Sequence, residues 1–255
     1  MPDLRVATTV ATANVLYTLD RRDARTALGQ VLDLEPDLVG LQEWYPYRLG
    51  LLRETGRVGP VPWDRRPRWP AVRSGGYLWN VPLVGGCVVG ARADRFELVT
   101  CRGRWLSFPG RADREDRLLG LEPPRPATVA VYRDRQLGRT VALVSYHLVA
   151  GVQSRGAYRT DRPRLAARHQ AEVRRLGAVV AGLLAAGHVV HAVGDSNWDG
   201  LRIPGLTSAW EGREGDPGTL GRRHIDDVHG PGRAEVVTPL RTPSDHRALV
   251  VRRSC

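Results

Sequence analysis

The amino-acid sequence predicts an α/β protein in which short strands outnumber helices. Short segments rich in Val, Leu and Ala recur along the chain and are separated by Gly, Asp and Arg. Apolar residues recur at the three- and four-residue steps of a helix strongly in two stretches, 20–34 and 161–186. A doubly wound parallel sheet needs a helix after most strands, so this ratio of strands to helices argues against that fold.

The first predicted elements place polar residues directly after apolar ones. Residues 4–13 contain β-branched residues in a partly alternating order, which predicts a strand that ends at Asn14. After the helix at 20–34, a short buried strand at 37–41 leads into Gln42-Glu43. Both strands therefore deliver amide or carboxylate groups at their ends.

Residues 57–80 are rich in Pro, Gly, Trp and Arg, and the sequence predicts a long loop there. Long loops in compact domains are often functional. Its residues Arg65, Arg66, Arg68 and Trp69 are candidates for gripping a phosphate backbone and stacking on bases. An equally good interpretation is that the tryptophans of this loop cover the edge of the core.

Runs rich in Val and Leu predict further strands at 81–89, 95–101, 128–132 and 140–146. The last of these is apolar enough for the centre of a sheet, and it ends at His147.

The second half of the chain predicts a helix followed at once by a strand. The helix at 161–186 is followed by a strand at 188–193, which carries Asp195 and Asn197 just beyond its end. Gly and Pro dominate the following residues until a final strand at 248–251.

Composition indicates a polyanionic partner. The chain has a formal net charge of +11, and all 38 of its basic residues are Arg. Arg presents a planar fork that binds phosphate, and a basic surface attracts nucleic acid. The choice of Arg over Lys also fits the coding bias of a GC-rich genome, which explains the excess of basic over acidic residues less well.

The remaining bulk properties restrict the class of protein. The chain has three cysteines, and none lies in a CxxC pair. This pattern argues against a disulfide framework and against a zinc site. No stretch approaches the ~18 apolar residues of a membrane-spanning helix. We therefore expect a cytoplasmic protein without a membrane partner. Because the polar clusters extend over nearly the whole chain, we expect one domain at 1–255.

Carboxylate, amide and imidazole groups at strand ends suit the hydrolysis of a phosphate ester with a divalent cation. Six elements occur in this order: Asn14, Gln42-Glu43, His147-Leu148, the GDxN segment at 194–197, Ile225-Asp226 and Ser244-Asp245-His246. Together they resemble the endonuclease/exonuclease/phosphatase superfamily, to which deoxyribonuclease I and exonuclease III belong. The resemblance implies a four-layer α/β sandwich, with two mostly antiparallel β-sheets packed face to face and helices outside.

The resemblance also implies a metal site. Glu43 would be the principal ligand of Mg²⁺, with Mn²⁺ as a possible substitute, and Asn14 would lie near the metal. Asp245 would lie next to the metal or the nucleophile.

Other roles implied by the resemblance concern the reaction itself. Asp195 would position or deprotonate the attacking water, and Asn197 would bind that water or a phosphate oxygen. His246 would be the second acid/base or phosphate-stabilising group. The remaining implied site residues are His147, which matches the deoxyribonuclease I branch, Asp226, which would orient an imidazole, and Arg125, which would bind phosphate. Asp227 competes with Asp226 for the orienting role.

The sequence thus predicts an Mg²⁺-dependent phosphodiesterase that acts on nucleic acid, most readily DNA, as a monomer without an obligate protein partner. Endonuclease and exonuclease action both stay open. A phospholipid, inositol phosphate or small phosphoester is the alternative substrate, and a binding protein that has lost catalysis is a further alternative.

Overall fold

The computed structural model describes residues 7–54, 71–113, 120–213 and 215–254. The helices are α1 (Arg21–Leu32), α2 (Leu49–Glu54) and α3 (Pro163–Ala185), and a 3₁₀ turn spans Pro46–Arg48. The strands are β1 (Ala7–Asn14), β2 (Leu38–Gln42), β3 (Ala71–Ser74), β4 (Tyr77–Asn80), β5 (Val88–Arg92), β6 (Phe96–Ser107), β7 (Gly110–Arg111), β8 (Leu121–Glu122), β9 (Arg125–Asp134), β10 (Arg139–His147), β11 (Gln153–Ser154), β12 (Ala157–Tyr158), β13 (Val189–Asp195), β14 (Asp226–His229), β15 (Val236–Leu240) and β16 (Ala248–Ser254).

Two large sheets contain most of these strands. The seven-stranded sheet has the order β15-β16-β1-β2-β5-β4-β3, and the five-stranded sheet has the order β14-β13-β10-β9-β6. Among the described strands of the two sheets, neighbours are antiparallel apart from β1–β2 and β10–β13. Each sheet therefore has one parallel pair in its interior.

The sheets and helices form four layers, as predicted. Side chains from both sheets share one core, in which Val10 and Leu38 of the first sheet meet Leu143 and Val193 of the second. Helices α1 and α2 cover the outer face of the first sheet, and α3 covers the outer face of the second. The alternation of side chains along each strand supplies both faces of each sheet with apolar residues.

Both predicted helices are present, with the expected signals at their ends. The carboxylate of Asp20 accepts a hydrogen bond from the backbone N–H of Asp23 and caps α1. Pro163 begins α3, whose buried face includes Leu176 and Val180, and Gly187 follows the helix with a φ of +80°.

Several sequence predictions were wrong in detail. Residues 71–80 are not loop but the hairpin β3–β4, whose Tyr77 and Trp79 are buried. The strand expected at 81–89 begins only at Val88. Strands β14 and β15 were missed. The predicted nucleic-acid contacts Arg65, Arg66, Arg68 and Trp69 lie outside the described residues.

Within the described part of the chain, no helix combines the length and the apolar character needed to cross a membrane.

Candidate active site

The two parallel strand pairs bring the predicted polar residues to one place. Asn14 lies opposite Gln42 at the end of β1–β2, and His147 lies opposite Asp195 at the end of β10–β13. The carboxyl ends of parallel strands meet at the same edge of a sheet. Because the sheets pack face to face, the Asn14 amide reaches across and donates a hydrogen bond of 3.0 Å to Oδ2 of Asp195.

A buried chain of polar side chains lies beneath this contact. Oε1 of Gln42 accepts from the hydroxyl of Thr12, and its Nε2 donates at 3.1 Å to Oγ of Ser145 in the other sheet. The sheets approach so closely here that a Cβ added to Gly40 would lie 2.2 Å from Cγ2 of Val193. Gln42 therefore fixes the distance between the two halves of the site.

Glu43 occupies a strained turn just after β2. It is a non-glycine residue with a φ of +57°, and it is half-buried. Its Oε2 accepts from the backbone N–H of Tyr17 at 2.9 Å, and its Oε1 lies 3.4 Å from the Asn14 amide nitrogen that donates to it. Backbone strain of this kind is retained at functional sites when the surroundings enforce it.

The GDxN segment forms a tight turn at the end of β13. A Cβ at Gly194 would lie 1.9 Å from the carbonyl oxygen of Tyr146, and its φ is +152°, so only glycine fits. Asn197 has a φ of +51°, and its backbone N–H donates at 2.7 Å to Oδ1 of Asp195. One oxygen of Asp195 therefore holds the turn, while the other faces the site.

Asp226 holds the imidazole of His246. Its Oδ2 lies 2.7 Å from Nδ1 of His246, and Oδ2 of Asp195 lies 4.0 Å from the same nitrogen. Asp227 faces elsewhere, where it accepts from the hydroxyl of Ser208 and the backbone N–H of Ala209. Asp226 is therefore the carboxylate that orients His246.

This buried cluster has shifted proton affinities. Burial and the negative charge of Asp226 raise the pKa of Asp195 to about 7, against the lowering effects of His246, Asn197 and Asn14. Burial disfavours the imidazolium form of His246, but Asp226 and Asp195 outweigh that effect and raise the pKa of His246 to about 10. His246 is therefore an imidazolium at neutral pH.

His147 has the opposite shift. Burial, followed by the positive charges of Arg125 and His246, holds the pKa of His147 well below its usual range. Its Nε2 lies 3.5 Å from Oδ2 of Asp195. Arg125 lies at the start of β9, has a largely buried side chain and lies 3.8 Å from a carboxylate oxygen of Glu122. The site thus contains a neutral histidine beside a charged one.

Asp245 lies at the rim of the site. It is exposed, and its Oδ1 accepts a hydrogen bond from the hydroxyl of Ser244 at 3.3 Å. The same hydroxyl donates to the carbonyl oxygen of Asn14 and accepts from the backbone N–H of Leu16. Ser244 therefore attaches the loop of His246 to the end of β1.

The structure brings together Asn14, Glu43, His147, Asp195, Asn197, Asp226 and His246, with Arg125 near His147 and Asp245 at the rim. Sequence reasoning missed Ser145 and Thr12, because a small polar residue inside an apolar strand gives no sign of its partner. It also missed the tyrosines beside Glu43.

Comparisons with known proteins give a consistent result for the fold. No protein-family model matches the sequence, and no curated protein matches it at a significant level. Solved structures do match. The human Nocturnin catalytic domain with bound sulfate superimposes with a TM-score of 0.64 at 21% identity, covering 98% of this chain and 95% of that chain.

Two further structures match over similar lengths. TDP2 of D. rerio, complexed with a single-strand DNA product, has a TM-score of 0.62 at 17% identity and covers 96% of this chain and 98% of its own. A mannosyl-6-phosphatase of Bacteroides thetaiotaomicron has a TM-score of 0.63 at 17% identity, with the same two coverages of 96% and 98%. A Bacteroides protein described as endonuclease/exonuclease/phosphatase family also matches, with a TM-score of 0.63 at 17% identity over 97% of both chains.

The chain has the endonuclease/exonuclease/phosphatase fold. The match extends over nearly the whole described structure, and the predicted four-layer sandwich is confirmed. At these identities the likeness concerns the fold, and the chemistry of this endonuclease/exonuclease/phosphatase-fold protein depends on its own side chains.

Proposed function

We propose that this protein is a divalent-metal-dependent phosphodiesterase that hydrolyses nucleic acid, with DNA as the favoured substrate. The observation that carries the proposal is the buried Asp226–His246–Asp195 cluster, whose ligand atoms lie within 4.8 Å of one another beside Glu43 and Asn14. A proton donor and a proton acceptor are thereby held next to a half-exposed carboxylate.

Glu43 and Asn14 suit a hard cation. Oδ1 of Asn14 is buried and has no hydrogen-bond partner among the described residues, since the amide nitrogen makes the contacts to Glu43 and Asp195. A buried oxygen without a donor is costly unless a ligand satisfies it. Carboxylate and amide oxygens are what Mg²⁺ and Mn²⁺ prefer, and the bound ion would polarise the phosphoryl oxygens.

The Asp195, Asp226 and His246 cluster is less suited to a cation. A histidine binds metal only as the neutral imidazole. Asp226 stabilises the protonated form of His246, whose pKa is raised to about 10 by the two carboxylates despite burial. We therefore assign this cluster to proton transfer and Glu43 with Asn14 to the metal.

Asp195 is suited to be the general base. Its pKa of about 7 allows it to accept a proton from the attacking water near neutral pH. The backbone N–H of Asn197 donates to Oδ1 of Asp195, so Oδ2 of Asp195 is the oxygen that faces the site. Water attacks phosphorus as its proton passes to Asp195, and the bond from phosphorus to the leaving oxygen breaks as Nε2–H of His246 protonates that oxygen.

His246, His147 and Arg125 are suited to the phosphate. Nδ1 of His246 is occupied by Asp226, so Nε2–H is the donor available to a phosphoryl or leaving oxygen. His147 is neutral and therefore adds a donor without adding charge. The guanidinium of Arg125 contributes positive charge beside them.

The preference for nucleic acid rests on charge. A net charge of +11 favours a polyanion over a single phosphate group. The TDP2 neighbour was solved with a single-strand DNA product, which agrees with this preference. The mannosyl-6-phosphatase neighbour shows that the same fold also serves a sugar phosphate, so a small phosphoester is the alternative to be tested.

A substrate panel tests the proposal. Purified protein would be incubated with closed circular DNA, linear DNA, RNA, mannose 6-phosphate, an inositol phosphate and a phospholipid, with Mg²⁺, with Mn²⁺ and with EDTA. We expect metal-dependent cleavage of DNA, and cleavage of closed circles would establish endonuclease action.

Variants complete the test. Glu43→Gln and Asp195→Asn should lose cleavage, whereas Asp161→Asn should retain it because Asp161 pairs with Arg159 on the exposed surface. DNA cleavage that persists in EDTA, or in both site variants, would contradict the proposal. Hydrolysis confined to a small phosphoester would overturn the choice of substrate and leave the chemistry in place.

A further inference from the structure

Three tyrosines lie together beside Glu43, and we call Tyr17, Tyr45 and Tyr47 the tyrosine ledge. The ring of Tyr45 lies parallel to that of Tyr47 with centroids 6.1 Å apart, and the ring of Tyr17 meets Tyr45 edge-on at 6.5 Å. Tyr17 is 55% exposed and Tyr47 is 66% exposed. Large aromatic rings exposed beside a polar site call for a ligand that covers them.

The tyrosine ledge is held rigidly. Nη1 and Nη2 of the buried Arg48 donate to the carbonyl oxygens of Val15, Leu16 and Leu19, in the segment that carries Tyr17. The guanidinium of Arg48 also lies 5.6 Å from the ring centre of Tyr47. The hydroxyl of Tyr47 donates to the carbonyl oxygen of Tyr17 at 2.8 Å. The rings therefore need little further ordering to bind a ligand.

The tyrosine ledge is continuous with the proposed phosphate and metal groups. The backbone N–H of Tyr17 donates to Oε2 of Glu43 at 2.9 Å. The Tyr45 hydroxyl lies within the electrostatic influence of both Arg125 and Glu43. A phosphate bound by Arg125, beside a cation on Glu43, would therefore lie near the Tyr45 ring of the ledge.

We propose that the tyrosine ledge stacks on a nucleobase adjacent to the cleaved phosphate, which makes the substrate a single-stranded nucleic acid. This inference rests on the proposed function. Every nucleobase offers a flat π-face, and stacking on tyrosine tolerates any sequence. The cost of taking a base out of its own stack is lowest where the strand is unpaired. A sugar phosphate or an inositol phosphate has no such face, so the ledge favours nucleic acid over these small phosphoesters.

Binding measured without catalysis tests the inference. A short fluorescein-labelled oligothymidylate and an abasic oligomer of equal length would be titrated with the protein in EDTA, with fluorescence anisotropy as the readout. Tyr17 is the residue to change first, because its backbone atoms, and not its hydroxyl, make the hydrogen bonds to Glu43 and Tyr47.

We expect Tyr17→Leu to weaken binding of oligothymidylate roughly 5- to 150-fold, the range that corresponds to the loss of one base–aromatic stack. Binding of the abasic oligomer should stay unchanged. Tyr17→Phe keeps the ring and should bind both oligomers as the wild type does. Tyr47→Leu should reproduce the base-dependent loss, and Tyr47→Phe should retain most of the affinity.

An equal loss for both oligomers, wild-type affinity in Tyr17→Leu, or no measurable binding of oligothymidylate by the wild type would overturn the inference. Hydrolysis of the substrate panel is measured separately with metal. A base-dependent loss in a protein that hydrolyses no phosphoester would support the tyrosine ledge and contradict the proposed function. Hydrolysis with base-independent binding would do the reverse.

Discussion

The parallel pair β1–β2 ends in Asn14 and Gln42, with Glu43 directly after β2, whereas the parallel pair β10–β13 ends in His147 and Asp195. Both pairs use the same backbone arrangement, with two strand ends side by side in the interior of a sheet. They differ in exposure, because Glu43 is half-buried while Asp195 is 1% exposed and His147 is 7% exposed. Burial raises the pKa of Asp195 to about 7 and lowers that of His147.

The difference teaches how one architecture supports two kinds of chemistry. A carboxylate that keeps contact with solvent suits a hydrated cation, which retains part of its water shell. A carboxylate enclosed among other charges suits proton transfer near neutral pH. Asn14 joins the two regions, since its amide donates to both Glu43 and Asp195.

The largest expected effect is on the turnover of DNA cleavage, and it comes from Asp195 at the buried end of β10–β13. Asp195→Asn should lower the turnover of DNA cleavage roughly a hundred- to ten-thousandfold, because it removes the proposed base for the proton of the attacking water. The new side chain keeps an oxygen for the backbone N–H of Asn197, so the thermal unfolding temperature should stay near that of the wild type. Single-turnover kinetics and calorimetry measure the two quantities. A large fall in unfolding temperature would mean that Asp195 acts structurally.

At the end of β1–β2, Glu43→Gln should weaken Mg²⁺ binding at least about tenfold, as measured by isothermal titration calorimetry. Excess Mg²⁺ should restore part of the activity, because the acid and base groups stay in place. Asp195→Asn should show no such recovery. If both variants responded alike to added metal, the division of labour between the two pairs would be wrong.

Asp226→Asn separates the two regions further. Loss of the carboxylate charge removes the main influence that raises the pKa of His246, so this pKa should fall from about 10. NMR titration of the histidine in protein kept in EDTA measures the shift, and calorimetry should show Mg²⁺ affinity close to that of the wild type. An unchanged pKa of His246 would contradict the orienting role of Asp226.

Each parallel strand pair also contains a tightly packed glycine. Replacing the two glycines by Ala should lower the free energy of unfolding by different amounts. A Cβ at Gly194 would meet a backbone oxygen that cannot move, so Gly194→Ala should lower the free energy of unfolding by about 3 kcal/mol or more. A Cβ at Gly40 would meet the side chain of Val193, so Gly40→Ala should cost about 1–3 kcal/mol. Denaturant unfolding measures both.

The two glycine variants should also differ in how much stability a second substitution, Val193→Ala, restores. Val193→Ala should recover part of the stability lost in Gly40→Ala, because it removes the methyl group that the new Cβ would meet. It should recover nothing in Gly194→Ala. Equal rescue of both variants would show that the side-chain contact does not explain the difference.

The smallest effect at neutral pH involves His191 in β13, which influences how stability depends on pH. Neither of its ring nitrogens has a hydrogen-bond partner among the described residues, and burial with nearby Arg253 and Arg95 lowers its pKa to about 3. The unfolded chain therefore takes up the proton first, and folding stability falls as the pH drops from about 6.5 towards 3. One proton contributes at most about 1.4 kcal/mol per pH unit.

His191→Leu should flatten this slope while leaving stability at neutral pH no lower, as measured by denaturant unfolding at several pH values. An unchanged slope in His191→Leu would place the acid sensitivity elsewhere in the protein.

The sequence was sufficient to predict the ends of the parallel strands, because each end follows a short apolar or β-branched run of strand length. It was insufficient for β14, where the consecutive acids Asp226 and Asp227 hide the strand pattern. Which of the two faces the site depends on register: Asp226 pairs with Asp195 and Asp227 pairs with Gly194, so their side chains point to opposite faces. That register is set by tertiary packing and has no local signal.

Other misses have similar causes. Strand β15 contains Pro239 and lies at the edge of its sheet, where burial imposes no alternation. In the hairpin β3–β4, Arg73, Tyr77 and Trp79 are interspersed with the aliphatic residues, so the sequence has no continuous aliphatic run there. The tyrosine ledge was not predicted because Tyr17 and Tyr47 are distant in sequence. Their segments are brought together by the pairing of β1 with β2 and by the contacts of Arg48, which have no local signal.

The hydroxyl of Ser244, which joins the loop of His246 to the end of β1, has a consequence for how the protein is made. The two residues that it connects, Ser244 and Asn14, are separated by 230 positions, and β1 pairs with β16 as well as with β2. During synthesis β1 leaves the ribosome early, and it can pair with β16 only after β16 has emerged. His246 precedes β16 directly in the sequence, so a chain that ends before them lacks both the β1–β16 pairing and the imidazole of His246. The proposed active site is therefore complete only after the last strand has joined the first sheet.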